Sequence, residues 1–108
     1  MKKVTFLHTP TAVPAASELT LPYYAISDSG NQYVCLTANL VLITASSYKF
    51  DGSVYLVSQP VSADKVHTSG VIPDLFSDKY KPCTEAEFKA AYDAMVALVT
   101  LNLNTSEL

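Results

Sequence analysis

Apolar residues recur in the first half of the chain with the two-residue period of β-strands. Every second residue from Leu19 to Ala25 is apolar, and this alternation predicts a strand with one buried face. Pro22 lies within this strand and has no N–H to donate, so we expect the strand at a sheet edge or with a bulge. Residues 33–36 and 40–45 form nearly continuous apolar runs, which predict two further strands whose two faces are both covered.

Turn-forming residues separate the predicted strands. Residues 28–31 read Asp-Ser-Gly-Asn, a combination that favours a tight turn. Asp51 and Gly52 stand between the β-forming residues 48–50 and 54–57. They predict a hairpin with a two-residue loop, because both central positions of such a loop favour positive φ. Residues 60–82 are interrupted by Pro and Gly, and we expect an irregular connection there with one short strand.

The pattern changes to a helical period after Pro82. Thr84 and Glu87 have the spacing of a capping box, which predicts a helix from Thr84 to about Thr100. Apolar residues at helical spacing form one stripe of this helix: Phe88, Ala91, Tyr92, Met95 and Val99. From residue 90 to 101 only Asp93 and Thr100 are polar, which is typical of a helix that is buried on several sides. In a chain of 108 residues, we expect the second covering surface to come from another subunit.

These elements predict an α+β fold in one domain, residues 1–108, with mainly antiparallel strands and one C-terminal α-helix packed against them. A small sandwich or barrel with the helix as an appendage is the alternative. We expect extended arms at residues 8–18, where Pro10 and Pro14 disfavour a helix, and at residues 101–108, where Leu and Asn alternate.

Charged residues are scarce over much of the chain. They make up 16% of it, against about 25% in an ordinary domain. Residues 4–48 contain two, Glu18 and Asp28, and the chain has no arginine. A small domain leaves much of its surface in water, so a chain without surface charge is expected to cover part of that surface with other protein. Seven lysines without arginine argue against direct nucleic-acid binding.

The sequence offers little catalytic or metal-binding chemistry. Cys35 and Cys83 are far apart in the chain and have no metal-ligand spacing, so we expect neither a metal nor a cofactor. Cys35 is predicted to be buried, and His8 and His67 are predicted in surface or loop positions. Cys83 precedes the helix, where a thiol pKa is sometimes lowered, but we expect it to be an inert thiol in a loop. An enzyme that uses Cys83 or His67 is therefore the least favoured function, and we expect a protein without catalytic residues.

The chain has no predicted secretion signal or membrane span. The apolar run that follows Lys2 and Lys3 covers residues 4–7 and is ended by His8 and Pro10, and is too short for a signal peptide. No stretch approaches the roughly 20 apolar residues of a membrane helix.

Two kinds of residue are candidates for contacts with other subunits. The adjacent tyrosines should point to opposite faces of their strand, one inward and one outward. The apolar helix and the alternating tail supply the others. The predicted interface residues are Tyr23, Tyr24, Met95, Leu98, Leu101 and Leu103.

The segment Thr-Glu-Ala-Glu-Phe-Lys-Ala-Ala-Tyr at residues 84–92 follows a β-rich, charge-poor region rich in Ser and Thr. In this respect the chain resembles small structural proteins of tailed, crAss-like bacteriophages of Bacteroidetes. The resemblance implies an accessory capsid or head–tail connector protein, made in the host cytoplasm and located in the virion. Such a protein acts through contacts with copies of itself or other virion proteins and has no catalytic residues. The alternative is a small monomeric binding module or inhibitor of a host protein.

Overall fold

The computed structural model describes residues 2–9, 15–47 and 53–106, with side chains described as far as residue 98. These residues form eight strands and two helices. They are β1 (Lys2–His8), β2 (Ala15–Leu21), β3 (Tyr23–Ser27), β4 (Gln32–Leu36), β5 (Val41–Ser47), β6 (Val54–Pro60), β7 (Val66–His67), α1 (Val71–Leu75), β8 (Tyr80–Pro82) and α2 (Glu85–Ser106). The α+β fold with mainly antiparallel strands is confirmed.

The strands form two sheets. In the smaller sheet β1 lies between β2, which is antiparallel to it, and β7, which is parallel to it. The larger sheet has the order β6-β5-β4-β3-β8, and every pair in it is antiparallel. Neither sheet closes on itself within the described residues, so the architecture is layered and the barrel alternative is wrong.

The main core lies between the two sheets and α1. Phe6 from β1 and Leu21 from β2 are fully buried together with Leu36 from β4. The short helix α1 adds Ile72 and Leu75. Apolar side chains from both sheets thus form one contiguous cluster, and its burial joins the two sheets into one unit.

Pro22 marks the point where the chain leaves one sheet and enters the other. The predicted single strand around Leu19 and Ala25 is divided there into β2 and β3, which belong to different sheets. The prediction of one continuous strand is wrong. The predicted edge position is confirmed for β2, which is an edge of the smaller sheet, but not for β3, which has neighbours on both sides. Proline cannot continue a hydrogen-bonded ladder, and Pro22 lies between the two ladders instead of within either.

Strands β4 and β5 are covered on both faces, as their continuous apolar runs predict. Val34 and Leu42 join the core between the sheets. The alternate residue Cys35 is buried on the opposite face, where α2 packs across strands β3 to β6. The predicted turn at residues 28–31 is also confirmed, with Gly30 at φ 81° and its N–H donated to the Ser27 carbonyl at 2.9 Å.

The predicted hairpin is confirmed as an antiparallel pairing of β5 with β6. Its register places Ser47 opposite Val54. A two-residue loop at Asp51 and Gly52 would place residue 50 opposite residue 53, and therefore Ser47 opposite Leu56. The register thus differs by two residues from the predicted one, and the loop itself lies outside the described residues.

The two predicted arms are in large part regular structure. Within residues 8–18, His8 belongs to β1 and Ala15 begins β2, which pairs with β1 along its length; residues 10–14 lie outside the described part. At the other arm, α2 continues to Ser106, so an extended segment from Leu101 is wrong. Extension of an existing helix is cooperative, and Leu is a good helix former. The alternation of Leu and Asn over residues 101–104 is too short to predict an extended segment reliably.

The irregular connection predicted for residues 60–82 contains more structure than expected. It holds β7 and α1 as well as β8, so it has two short strands and one short helix where one strand was predicted. Each of the three is five residues or shorter. Elements of this length show too few periods for a sequence pattern to define them.

Candidate interaction surface

The inner face of α2 packs on the larger sheet. Phe88 and Met95 are buried there, with Met95 6% exposed, and the Phe88 ring lies 5.6 Å from that of Tyr24 on β3. Ala91 and Tyr92 on the same face are half-buried. The predicted apolar stripe is confirmed at these helix positions, and the side chain of Val99 lies outside the described residues.

A capping box holds the start of α2. Glu87 donates its backbone N–H to Thr84 Oγ1 at 3.0 Å, and the Thr84 backbone N–H donates to Glu87 Oε1 at 3.0 Å. The Thr84 hydroxyl also donates to Glu87 Oε1 at 3.0 Å. The backbone and hydroxyl hydrogen bonds that the Glu87 carboxyl accepts from Thr84 lower its pKa below the ordinary value. The predicted start of the helix is therefore confirmed in detail.

The outer face of α2 is open and becomes apolar along the helix. Lys89 and Asp93 lie on its first turns, and after Asp93 the described residues up to Leu98 carry no charge. Val96 is 37% exposed and Leu98 is 47% exposed. Within one chain, α2 is therefore covered on one face. Among the predicted interface residues whose side chains are described, Leu98 is the one that is exposed to solvent. Leu101 and Leu103 belong to the helix, and their side chains lie outside the described residues.

The two tyrosines point to opposite faces of β3, and both faces are occupied. Tyr23 packs against the core between the sheets, and Tyr24 packs against Phe88 of α2. Both are half-buried, so the expected outward tyrosine is instead covered by the helix. Met95 is likewise buried inside the chain. The contacts of these three residues with their own chain account for their burial.

Backbone hydrogen bonds determine which groups of β6 point away from β5. The Val61 N–H donates to the Leu40 carbonyl at 2.8 Å, in the same register that places residue 41 opposite residue 60. Hydrogen-bonded and non-hydrogen-bonded pairs alternate in an antiparallel ladder, so positions 55, 57 and 59 bond to β5. The N–H and C=O groups of Val54, Leu56 and Ser58 therefore point outward from the sheet.

Four features usually protect a sheet edge: charge, proline, a bulge and short length. Strand β6 has only one of them, a proline at its last position. The other edge strands have them: β2 contains Glu18, β8 has three residues that include Lys81 and Pro82, and β7 has two residues. β6 has seven residues without a charged side chain and pairs with β5 without a bulge. Its Pro60 stands at the end, where the proline nitrogen faces outward. Among the described strands β6 is the longest uncharged edge.

No family model, curated protein or solved structure matches this chain. Across the described residues, no helix is long and apolar enough to cross a membrane, and no group of three or more His, Cys, Asp or Glu side chains is placed to hold a metal ion.

A buried histidine was missed by the sequence analysis. His8 is 4% exposed, and its ring stacks on Phe76 with centroids 4.5 Å apart. Its Nε2 lies 2.8 Å from Ser17 Oγ, while Nδ1 has no hydrogen-bond partner among the described residues. The prediction of a surface or loop position is wrong, because His8 faces the core next to Phe6 in the strand alternation. That alternation from Val4 to His8 is the signal that could have found it.

The contact between His8 Nε2 and Ser17 Oγ resembles that between a general base and a hydroxyl nucleophile. The further group that a catalytic triad requires is not found beside it among the described residues. In a catalytic triad a third group orients the histidine through its other nitrogen. Here Nδ1 meets no such group in the described part of the chain. The stack on Phe76 and the bond to Ser17 explain the burial of His8 as packing at the edge of the core.

The surroundings of both cysteine thiols disfavour the thiolate. Burial raises the pKa of Cys35, and burial together with the nearby Glu87 carboxylate raises the pKa of Cys83. At Cys83 desolvation of the thiolate outweighs any lowering of the pKa by the helix start, which agrees with the inert loop thiol expected there. His67 instead lies on the smaller sheet, with its Nε2 2.6 Å from the Ser62 carbonyl oxygen. The structure therefore does not bring Cys83 and His67 together as a catalytic pair.

Proposed function

We propose that the protein is a structural subunit of a larger protein assembly, of the accessory capsid or connector type in a phage virion. The observation that carries this proposal is the open, charge-free face of α2 after Asp93, on which Val96 and Leu98 are exposed. Burial of apolar surface contributes about 25 cal/mol per Å². A protein that covers this face would therefore form a complex that is stabilised by the buried apolar area.

The composition supports the same function. The chain has few charges and no arginine, and a subunit whose surface is partly covered in an assembly needs fewer of them than a protein that stays monomeric. The assignment to a phage particle rests on the resemblance of residues 84–92 and of the charge-poor β-rich region before them. The mode of action is contact between protein surfaces, without a catalytic step.

The substitution Leu98→Asp tests this proposal. We expect it to fold as the wild type does, because Leu98 is exposed, and to assemble at least about tenfold more weakly, because a carboxylate would be desolvated in the contact. Light scattering across a concentration series measures the assembly, and circular dichroism measures the fold. Ala90→Asp is the matched control, since it adds the same charge to an exposed position nearer the helix start.

The outcomes test the role of this face and the ability of the protein to self-assemble. A Leu98→Asp protein that is folded and assembles like the wild type contradicts the role of this face. A wild-type protein that stays monomeric at every concentration contradicts self-assembly. It favours a subunit that decorates a different protein, or the alternative, a monomeric module or inhibitor.

A further inference from the structure

The outward groups of β6 are arranged symmetrically about one residue. Val54, Leu56 and Ser58 each present an N–H and a C=O away from the sheet, and Leu56 is the middle position. When two antiparallel copies of the strand meet with Leu56 opposite Leu56, Val54 stands opposite Ser58 at both ends. Each of these three opposed pairs has the hydrogen-bonded geometry and exchanges two bonds. The edge is therefore complementary to itself.

We propose that two copies of the chain pair through β6 in this register, with a two-fold axis at Leu56, and join their larger sheets into one continuous ten-stranded sheet. This inference rests on the proposed function and names the partner and the contact. The axis is perpendicular to the sheet, so the two α2 helices lie on the same face of the joined sheet.

Side chains favour a second copy over an unrelated strand. Like charges that face each other across a strand pair destabilise it. A strand that pairs with its own copy can bring like charges together, but β6 has no charged residue. The register also places Tyr55 opposite Val57 of the second copy at the two non-hydrogen-bonded positions, where side chains come closest. These side chains are 55% and 47% exposed in one chain. Aromatic and β-branched residues form favourable cross-strand pairs.

The substitution Ser58→Pro tests the contact. It removes an N–H that points outward and none that bonds to β5, so the fold should be kept, as proline is tolerated on edge strands. The dimer loses two hydrogen bonds and gains a steric conflict, and we expect its Kd to rise at least about tenfold. Light scattering across a concentration series measures the Kd, and circular dichroism measures the fold.

Disulfide trapping tests the register. It also tests the β6 contact independently if the Ser58→Pro protein does not fold. Leu56→Cys places two thiols opposite each other, with Cα atoms about 5.5 Å apart, a separation that a disulfide spans. We expect a covalent dimer on mild oxidation, with peptide mass spectrometry showing a bridge between the introduced thiols. In the matched control Ser58→Cys, the two thiols lie about 13 Å apart along the strand, and no bridge should form. The wild-type protein controls for Cys35 and Cys83.

Each result supports or overturns the inference. A wild-type monomer at every concentration, without trapping of Leu56→Cys, overturns both this inference and self-assembly. A wild-type oligomer that keeps its mass in a folded Ser58→Pro protein overturns the β6 contact and leaves the proposed function standing. Equal trapping of Leu56→Cys and Ser58→Cys overturns the register. Trapping of Leu56→Cys alone supports the whole inference.

Discussion

Met95 and Leu98 stand three residues apart on α2 and meet opposite environments. Met95 is 6% exposed against the sheet and Leu98 is 47% exposed. Three residues turn a helix by about 300°, which leaves the two side chains roughly 60° apart around the axis. The boundary between the covered and the open face of α2 runs between them. The sequence pattern treats them alike because both are apolar members of one continuous stretch.

Truncation of Met95 should therefore destabilise the fold. We expect Met95→Ala to lower the free energy of unfolding by about 2–4 kcal/mol, because it leaves a cavity between α2 and the sheet. Urea denaturation measures the change. Leu98→Ala is the control and should stay within about 0.5 kcal/mol of the wild type, as expected for an exposed position. Equal losses in the two variants would contradict the boundary described for α2.

At the scale of the element, the start of α2 is the part that local sequence determines most directly. A threonine followed three residues later by a glutamate satisfies two N–H groups that the first turn leaves without helical partners. Both bonds are present at Thr84 and Glu87. No distant residue is needed for this motif, which explains why the prediction and the structure agree there.

The charge of Glu87 should make the stability of α2 depend on pH. Its folded-state pKa is lowered below the ordinary value of 4.5, so its contribution is present above that value and is lost as the pH falls through the lowered one. We expect Glu87→Gln to reduce Tm at neutral pH and the difference from wild type to vanish in acid. Thermal unfolding across the pH range measures this. Glu85→Gln, which removes a charge from the same turn but leaves the bonds to Thr84, should have a smaller effect. An equal effect of the two variants would contradict a specific role of the Thr84 bonds.

Prediction succeeded where a feature depends on neighbours in the chain and failed where it depends on distant contacts. The turn at Gly30 follows from its turn-forming residues, and the stripe around Phe88 follows from helical periodicity. The assignment of β2 and β3 to separate sheets does not, because it depends on which strands are available to pair on either side of Pro22. The same holds for His8, whose burial depends on Phe76 in a distant part of the chain.

The candidate surface was predicted in part for the same reason. Leu98 is apolar and exposed, as an interface residue of the isolated chain should be. The two tyrosines and Met95 are covered by their own chain, and a sequence without the fold gives no means to separate apolar residues that face the core from those that face a partner. The β6 edge was missed as a specific site, because its outward groups follow from a register that the hairpin prediction placed two residues away.

At the scale of the whole molecule, the two sheets form one core, and uncharged structure remains at the β6 edge and the outer face of α2. These lie on different elements, so contacts through both would give a subunit more than one neighbour. A subunit with two independent contacts can extend an assembly, whereas one with a single symmetric contact stops at a dimer.

Association through such surfaces should be nearly independent of salt. Because β6 carries no charge, we expect the dimer Kd to change by less than about threefold between roughly 0.05 and 0.5 M NaCl, although salt screens exposed charges strongly over that range. Sulfate at the same ionic strength should tighten association by strengthening apolar burial. Sedimentation or light scattering measures both effects. A weakening of more than about tenfold in NaCl would place ionic pairs in the contact, against the geometry of this edge.

The position of α2 after all eight strands has a consequence for synthesis on the ribosome. Domains emerge and begin to fold from the N-terminal side, so the strands of the larger sheet are complete before the helix that covers one of its faces. During that interval the side of the sheet with Tyr24 and Cys35 meets solvent or a chaperone. This uncovered apolar face can aggregate until α2 has left the ribosome and packs on it.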